Sequence, residues 1–345
     1  MLKIGLLGSG FAADFHMQAY GEIPDAEVVA VASRKRAKAF ARKWGIKNCY
    51  TGEDYMERLC KDDKIEVVDI TLPTFIKLEA VKNASERGKD VIVEKPFGRN
   101  SEEAKGMVDA VKKNKVLHGY AENQLFFPQV ERAVEIIRKG AIGKVIWARS
   151  REAHFGPHSK WFWDRNLAGG GVLREMGCHS IEACRKIIGA KAEEVFGWGA
   201  LLVHRDKTKA EDNSIVLVKY RGGELGQAEN SYASHGGLDL RFEIHGSEGM
   251  ISIDVTRETG IRMFTTAPDK KVGYVVEKAE VSRGWLYPSW REFELYGYLG
   301  ELRHFVDCFR KGNLPRENFL DGLEVSKIID AAYTSIRNGS WEKIG

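Results

Sequence analysis

Two side chains that can accept a proton lie four residues apart, shortly after three consecutive glycines. Glu175 and His179 follow the glycines at residues 169–171. A spacing of four puts both side chains on one face of a helix, and the glycines would let the backbone approach a ligand closely. An isolated pair of this kind is usually a structural ion pair. The pattern therefore favours acid–base chemistry only if other residues point to the same site.

A third candidate, Lys95, follows a predicted buried strand. The strand covers residues 90–93, and the triplet Glu94-Lys95-Pro96 comes directly after it. In open α/β sheets, ligands bind beyond the carboxyl ends of the strands. The position therefore predicts that Lys95 faces the reactive end of a bound cofactor, where a lysine or a histidine can remove a hydroxyl proton.

A glycine-rich turn close to the N-terminus predicts where that cofactor binds. The strand over residues 3–7 runs into Gly-Ser-Gly-Phe-Ala-Ala at residues 8–13, which fits G-x-G-x-x-G/A. Gly8 permits a tight reversal, Gly10 lets the backbone approach a pyrophosphate, and Ala13 lets helix and strand pack closely. The free N–H groups of the next helix would bind the phosphates. A purely structural turn is the alternative, but the position directly after a strand favours a dinucleotide site.

The residue expected to contact the adenosine ribose is Ser33, which stands 25 positions after Gly8. NAD-binding units carry an acidic residue near this point. A serine followed by Arg34 and Lys38 can instead hold a 2′-phosphate. The alternative is a basic, solvated start to the helix over residues 35–44. The cofactor is therefore predicted to be NADP or NAD, with the balance slightly toward NADP.

The elements that position these residues change in character along the chain. Strands and helices alternate up to residue 120, which predicts a doubly wound parallel sheet. From residue 145 strands follow one another, among them short runs at 261–265 and 272–276, and two helices end the chain. The predicted fold class is α/β, with a dinucleotide-binding domain over residues 1–120. A second domain over residues 121–345 is predicted to contain a mostly antiparallel sheet.

Composition argues against several classes of protein and partner. The net charge of +4 is spread along the chain and gives no reason to expect nucleic acid. No apolar run is long enough to span a bilayer, and the N-terminus lacks the apolar stretch of a signal peptide. Five cysteines without a C-x-x-C pair favour reduced thiols in the cytoplasm. His154 and His158 have the spacing H-x-x-x-H but lack an obvious third ligand, so no metal site is predicted.

Taken in order, these motifs resemble the glucose–fructose oxidoreductase/inositol dehydrogenase (Gfo/Idh/MocA) family. The resemblance rests on four motifs: the glycine turn with His16, Thr71-Leu72-Pro73, Glu94-Lys95-Pro96 and the glycine block that ends at His179. The resemblance implies hydride transfer between a nicotinamide and a secondary alcohol or ketone of a sugar, sugar derivative or cyclic polyol. It also implies an N-terminal Rossmann domain and a second domain whose open sheet pairs with another subunit. A homodimer or homotetramer is therefore expected.

The family also suggests roles for the acid–base residues. It implies that His179 is the principal proton acceptor and that Lys95 orients the hydroxyl and stabilises developing negative charge, with the division between them left open. The family usually has Asp at the position of Glu175, so the longer side chain changes the expected geometry around the substrate.

The residues predicted for the site fall into three sets. The catalytic set is Lys95, Glu175 and His179. The cofactor set is Gly8, Gly10, Phe11, Ala12, Ser33, Arg34, Lys38, Thr71, Leu72, Pro73, Glu94, Lys95 and Asn123. The substrate set is Lys95, Tyr120, Trp163, Glu175 and His179. Trp163 belongs to an aromatic run at 161–163 that can either stack on a sugar or pack in the core.

Two other functions are compatible with the same residues. One is a glycoside-cleaving enzyme of the same family, in which tightly held NAD oxidises and then re-reduces the sugar without net redox. The other is a sugar-sensing relative that has lost its chemistry. The presence of both Lys95 and His179 argues against the second alternative.

Overall fold

Strands and helices make up most of the computed structural model, which describes residues 1–258, 260–266, 284–288 and 291–345. The strands are β1 (Leu2–Leu7), β2 (Ala26–Ala32), β3 (Asn48–Tyr50), β4 (Val67–Ile70), β5 (Asp90–Glu94), β6 (His118–Ala121), β7 (Val145–Ala153), β8 (Ala192–Ala200), β9 (Asn213–Tyr220), β10 (Leu225–Ser231), β11 (Asp239–Gly246), β12 (Met250–Asp254), β13 (Met263–Thr265), β14 (Gly284–Leu286) and β15 (Glu342–Lys343). The helices are α1 (Phe11–Tyr20), α2 (Ala37–Trp44), α3 (Tyr55–Cys60), α4 (Lys77–Ser85), α5 (Ser101–Asn114), α6 (Pro128–Arg138), α7 (Arg165–Ala168), α8 (Val172–Glu175), α9 (Gly177–Ile188), α10 (Glu292–Leu295), α11 (Tyr298–Arg310) and α12 (Phe319–Asn338).

The chain forms two compact units. The first comprises Met1–Phe126 and Gly297–Ser326, and the second comprises Phe127–Tyr296 and Lys327–Gly345. This division differs from the sequence-based one at residue 120, which assigned every later residue to the second domain.

Aromatic contacts explain why a C-terminal segment belongs to the first unit. The Phe15 ring in α1 stacks on Tyr298 in α11, with 4.8 Å between ring centroids. Phe319, at the start of α12, packs edge-on against Phe97 at the same centroid distance. These rings are buried, so their packing provides apolar stabilisation that joins residues far apart in sequence.

Six parallel strands form the sheet of the first unit, in the order β3-β2-β1-β4-β5-β6. This is the order of a doubly wound sheet, and it reverses between β1 and β4. All four residues of β4 are buried, as expected for a central strand with both faces covered. The predicted Rossmann-type fold of the N-terminal part is confirmed, and the carboxyl ends of β1 and β4 lie side by side at the point where ligands bind in such sheets.

Seven strands form the sheet of the second unit, in the order β12-β11-β7-β10-β9-β8-β15. Only β7 and β10 are parallel neighbours within this sheet, so the predicted mostly antiparallel arrangement is confirmed. Helix α9 lies on one face, where the Cys184 thiol donates to the carbonyl oxygens of Ala148 and Gln227. The other face carries the exposed, cross-strand neighbours Trp198 and Ile215.

Two further observations concern the peripheral elements. Strands β13 and β14 pair with each other, whereas the strand predicted at 272–276 lies outside the described residues. Among the helices that the structure describes, none has both the length and the apolar character needed to cross a membrane.

Candidate active site

The glycine turn after β1 is shaped by a close neighbour, Thr71. Gly8 has a φ of +131°, and a Cβ added to it would collide with the Thr71 side chain and lie 2.9 Å from the Thr71 carbonyl oxygen. The Gly8 N–H donates to the Ala32 carbonyl oxygen at 2.9 Å. The chain therefore passes between the ends of β2 and β4 where only glycine fits.

Gly10, in contrast, is not constrained by the surrounding protein. It stands at the N-cap of α1 without a side-chain hydrogen bond, and a Cβ added to it would meet no atom within 4 Å. Phe11 and Ala12 begin the helix, and the first N–H groups of a helix have no intrahelical partner and favour an anion. The turn thus presents backbone donors without obstruction, and the pyrophosphate of a dinucleotide fits here.

Ser33 lies beside this turn at the end of β2. Its hydroxyl oxygen is 2.9 Å from the Ser9 hydroxyl oxygen and accepts the Arg36 N–H at 3.2 Å. The exposed Arg34 guanidinium donates to the Glu53 carboxylate, with 2.9 Å between Nε and Oε1. This hydrogen bond holds the pKa of Glu53 below its ordinary value. Glu53 was not predicted as a site residue, because no local sequence pattern connects it with Arg34.

The other predicted cofactor residues of the first unit follow neighbouring strands. The N–H and hydroxyl of Thr71 both donate to the Leu7 carbonyl oxygen, at 2.8 and 3.1 Å, so Thr71-Leu72-Pro73 lies next to the glycine turn. Glu94 ends β5, and Asn123 follows β6 in a short turn. Lys38 is exposed on α2.

Tyr120, predicted to contact substrate, lies within β6 and is fully buried. Its ring packs edge-on against Phe97, with 5.3 Å between centroids. This is the setting of a core residue, and Tyr120 remains a sequence-based prediction for the substrate set.

A buried histidine connects the glycine-turn helix to two strands. His16 Nδ1 lies 2.7 Å from Asp69 Oδ2, and His16 Nε2 lies 3.2 Å from Glu94 Oε1. Tyr20 donates its hydroxyl to the same Asp69 oxygen at 2.9 Å. Burial alone would lower the pKa of His16, but the charges and hydrogen bonds of Asp69 and Glu94 raise it well above its ordinary value. His16 is therefore an imidazolium that donates to two carboxylates.

The pKa of Glu94 is shifted in the opposite direction, below its ordinary value. Burial alone would raise the pKa of Glu94, but the hydrogen bond and charge of His16, with the charges of Lys95 and Lys77, lower it. The residue that precedes Lys95 is thus a carboxylate fixed by an ion pair inside the protein.

A further carboxyl group, Glu301 of α11, is buried close to this network. Both of its oxygens lack a hydrogen-bond partner among the described residues. Burial raises the pKa of Glu301 well above its ordinary value, the charge of Glu94 raises it further, and the charge of His16 opposes this only in part. Glu301 therefore favours the protonated state in the folded protein.

We predict that Glu301→Gln stabilises the protein more at pH 8 than at pH 5. A carboxyl whose folded pKa is raised contributes stability below its unfolded pKa and loses it as pH rises toward the folded pKa. The neutral amide does not titrate and avoids this loss, which is about 1.4 kcal/mol for each pH unit between the unfolded and the folded pKa. We therefore expect the gain at pH 8 to exceed that at pH 5 by at least about 1 kcal/mol. Thermal unfolding followed by circular dichroism across this pH range measures the effect. An equal change in stability at both pH values would contradict it.

In the second unit, Glu175 and His179 do not share one helix. Glu175 is the last residue of α8, Met176 separates the helices, and His179 is the third residue of α9. The His179 N–H donates to the Met176 carbonyl oxygen at 3.1 Å, and the Cys178 thiol donates to that of Glu175 at 3.2 Å. The two residues therefore stand in two consecutive helices, whereas their four-residue spacing predicted one helix through both.

Two glycines of the glycine block make close contacts within the protein. A Cβ on Gly170 would collide with the Tyr333 hydroxyl, and one on Gly171 would collide with the Glu211 main chain. The Glu211 carboxylate accepts the N–H groups of Gly171 and Leu173, both at 3.1 Å, and the Tyr333 hydroxyl at 2.8 Å. These two glycines are therefore required by contacts within the protein. Glu211 and Tyr333 hold the start of α8, which ends at Glu175.

Glu175 itself is held by a tyrosine that no sequence motif identifies. Tyr232 donates its hydroxyl to Glu175 Oε2 at 2.5 Å, and both residues are buried. Burial, followed by the charge of Glu175, raises the pKa of Tyr232 well above its ordinary value. The Trp163 ring packs edge-on against Tyr232 at 5.7 Å, and the His154 ring lies 6.0 Å from it. Trp163 and Glu175, two members of the predicted substrate set, thus contact the same tyrosine.

Known proteins match the chain along most of its length. Residues 2–121 match the family model described as oxidoreductase family, NAD-binding Rossmann fold, and residues 130–252 match that of the GFO/IDH/MocA C-terminal domain. Levoglucosan dehydrogenase of Pseudarthrobacter phenanthrenivorans is 28% identical, over 99% of this chain and 97% of its own. Myo-inositol 2-dehydrogenase of Thermotoga maritima is 27% identical, over 93% and 92%. The crystal structure of GenD2 from gentamicin A biosynthesis, in complex with NAD, has a TM-score of 0.91 and 26% identity and covers 100% of this chain and 96% of its own.

Proposed function

The chain belongs to the GFO/IDH/MocA family of NAD-binding oxidoreductases, and we propose from this that it is a dehydrogenase of sugars or cyclic polyols. The observation that carries the proposal is Lys95, which follows the carboxyl end of β5 in the same sheet that presents the unobstructed glycine turn. Relatives over the whole chain are named for the oxidation of levoglucosan and myo-inositol, which supports a polyhydroxylated substrate.

In this proposal His179 and Lys95 have different roles in alcohol oxidation. A bound nicotinamide would supply the acceptor for the hydride of the alcohol carbon. His179 removes the hydroxyl proton, and Lys95 orients the oxygen and stabilises its developing negative charge. Glu175, fixed by Tyr232, holds a further substrate hydroxyl through its carboxylate. A screen of sugars and polyols with both cofactors, with analysis of the products, identifies the sugar and the carbon that is oxidised.

We predict that Lys95→Ala and His179→Ala each lower turnover by roughly a hundredfold or more, the usual contribution of a positioned acid–base group. His179→Ala should leave cofactor affinity unchanged, whereas Lys95→Ala removes a charge near the cofactor and weakens binding somewhat. Turnover is followed by the absorbance of the reduced nicotinamide, and affinity by calorimetry on the same preparation.

Lys105→Ala is the matched control, since Lys105 is an exposed lysine of α5 paired with Asp109 at 2.6 Å. It should retain full turnover. Full activity of His179→Ala with normal cofactor binding would show that this histidine is structural. Sugar consumption without free reduced cofactor would instead support the glycoside-cleaving alternative.

For the cofactor, we propose that NADP binds at least as tightly as NAD. Ser33 and Arg34 stand where NAD-binding units carry an acid, although Glu53 offsets part of the Arg34 charge. Arg34 and Glu53 are both largely exposed, so their pairing is weak and a phosphate can compete with it.

We predict that Ser33→Asp shifts the preference to NAD, because it adds a negative charge facing a 2′-phosphate. Glu53→Gln should shift the preference toward NADP by about threefold to tenfold, because it frees the guanidinium. Calorimetric titration of both variants with both cofactors measures the shifts. Tenfold tighter binding of NAD by the unmodified protein would contradict the proposed preference.

The open face of the second sheet supports a homo-oligomer, either a dimer or a tetramer. Trp198 is 47% exposed and Ile215 is 39% exposed, and they are cross-strand neighbours of β8 and β9. The exposed Trp341 packs against Phe196 on β8, with 5.7 Å between ring centroids. Exposed apolar patches of this kind mark association surfaces.

We predict a dimer or tetramer by light scattering at micromolar concentration, and dissociation of the Ile215→Asp variant, because a carboxylate would be buried in the contact. Leu314→Asp is the matched control, since Leu314 is equally exposed but lies outside this sheet. A monomeric unmodified protein would overturn the proposal.

The cysteines support a reducing location. All five are free thiols, and three of them are buried. We therefore propose that the protein works in the cytoplasm.

A further inference from the structure

Lys77 is a buried lysine whose ammonium group contacts the main chain next to Lys95. It is the first residue of α4 but is only 2% exposed, although lysines are almost never fully buried unless they are paired. Its Nζ donates to the main-chain carbonyl oxygens of Glu94 and Pro96, the latter at 2.8 Å. These two carbonyls belong to the residues on either side of Lys95.

The same segment is held from a second direction. The Glu94 side chain accepts a hydrogen bond from His16, while its carbonyl accepts one from Lys77. Phe97, one residue beyond Pro96, is buried against Phe319. The main chain before and after Lys95 is therefore fixed, whereas the Lys95 side chain itself is only half-buried.

We propose that Lys77 is a positioning residue, which fixes the main chain on both sides of Lys95 and thereby sets the direction in which the Lys95 ammonium is presented. This inference rests on the proposed function, in which Lys95 orients the substrate hydroxyl. A charge-assisted hydrogen bond is about twice as strong as a neutral one, and an ammonium has three donors that can serve several acceptors at once. A misplacement of about 1 Å at a reacting group can cost roughly a hundredfold in rate, so a small loosening of this segment is sufficient to impair turnover.

A purely structural lysine predicts different behaviour. Its loss would leave two carbonyls without a donor and lower the stability of the protein, but the folded fraction would turn over normally. If Lys77 instead acts through Lys95, substituting Lys77 must have no further effect on turnover once Lys95 has been replaced. A double-mutant cycle separates the two cases.

The experiment compares five full-length proteins: the unmodified chain, Lys77→Met, Lys77→Arg, Lys95→Ala and the double variant Lys77→Met/Lys95→Ala. Myo-inositol, levoglucosan and glucose are the probes, with NAD and NADP, well below the melting temperature of each variant. We expect Lys77→Met to lower kcat by about tenfold or more while cofactor Kd stays within about threefold. Arginine keeps the charge and has a fork of donors, so Lys77→Arg should recover most of kcat. The double variant should be no slower than Lys95→Ala.

Two results would overturn the proposal. One is a kcat of Lys77→Met within about twofold of the unmodified protein. The other is an equal fold-loss of kcat when Lys77→Met is added to the unmodified protein and when it is added to Lys95→Ala. An equal loss indicates a general structural effect. If Lys77→Met does not fold, Lys77→Gln replaces it, because its amide donates to the carbonyls without a charge.

Hydrogen exchange separates failure of this inference from failure of the proposed function. If the unmodified protein oxidises none of the probes, the proposed dehydrogenase activity is overturned for them. Exchange in a peptide spanning residues 91–97 then decides the role of Lys77. Exchange about tenfold faster in Lys77→Met, with α5 unchanged, supports the positioning role. Unchanged exchange in that peptide overturns it.

Discussion

The buried imidazolium of His16 is the interaction on which the cofactor edge of the first unit depends. It binds Asp69 of β4 and Glu94 of β5 at once, and it lies on α1, the helix that begins at the glycine turn. Because both ring nitrogens are engaged, the rotation of α1 about its axis is fixed relative to two strands. The direction of the N-terminal amides of α1, which are proposed to bind the phosphates, follows from the same constraint. Asp69 first, and then Glu94, raise the pKa of His16, and the contact with His16 in turn lowers the pKa of Glu94.

Much of the fold could be predicted because its signals are local. Alternating buried strands and helices predict the doubly wound sheet, and the glycine turn is a short motif that follows directly from β1. The period of two in the later strands predicts the antiparallel sheet. The placement of residues 297–326 could not be predicted in this way. It depends on Phe15 against Tyr298 and Phe97 against Phe319, pairs separated by more than 200 residues, and no period in the sequence reports such contacts.

In the candidate site, too, local sequence patterns did not predict the structure fully. A four-residue spacing indicated one helix through Glu175 and His179, but one helix ends at Glu175 and the next begins at Gly177. Three glycines indicated close approach of a ligand, but Gly170 and Gly171 are small because Tyr333 and Glu211 occupy the space beside them. The small residues of the glycine block are thus explained by packing partners from distant parts of the chain, which the local sequence does not indicate.

The residues found only in the structure have a common physical role in each unit. In the first unit, Lys77 holds the carbonyls around Lys95; in the second, Tyr232 holds the Glu175 carboxylate and Glu211 holds the amides before it. Lys77 and Tyr232 are buried and Glu211 is partly buried, and each is tolerated because its partners compensate the loss of water. Removing one partner leaves the other buried and unsatisfied, which costs more than the pair contributes. A single substitution that removes the donor of Lys77 or Tyr232, or the acceptor of Glu211, therefore leaves its partner group unsatisfied and loosens the segment that the contact holds.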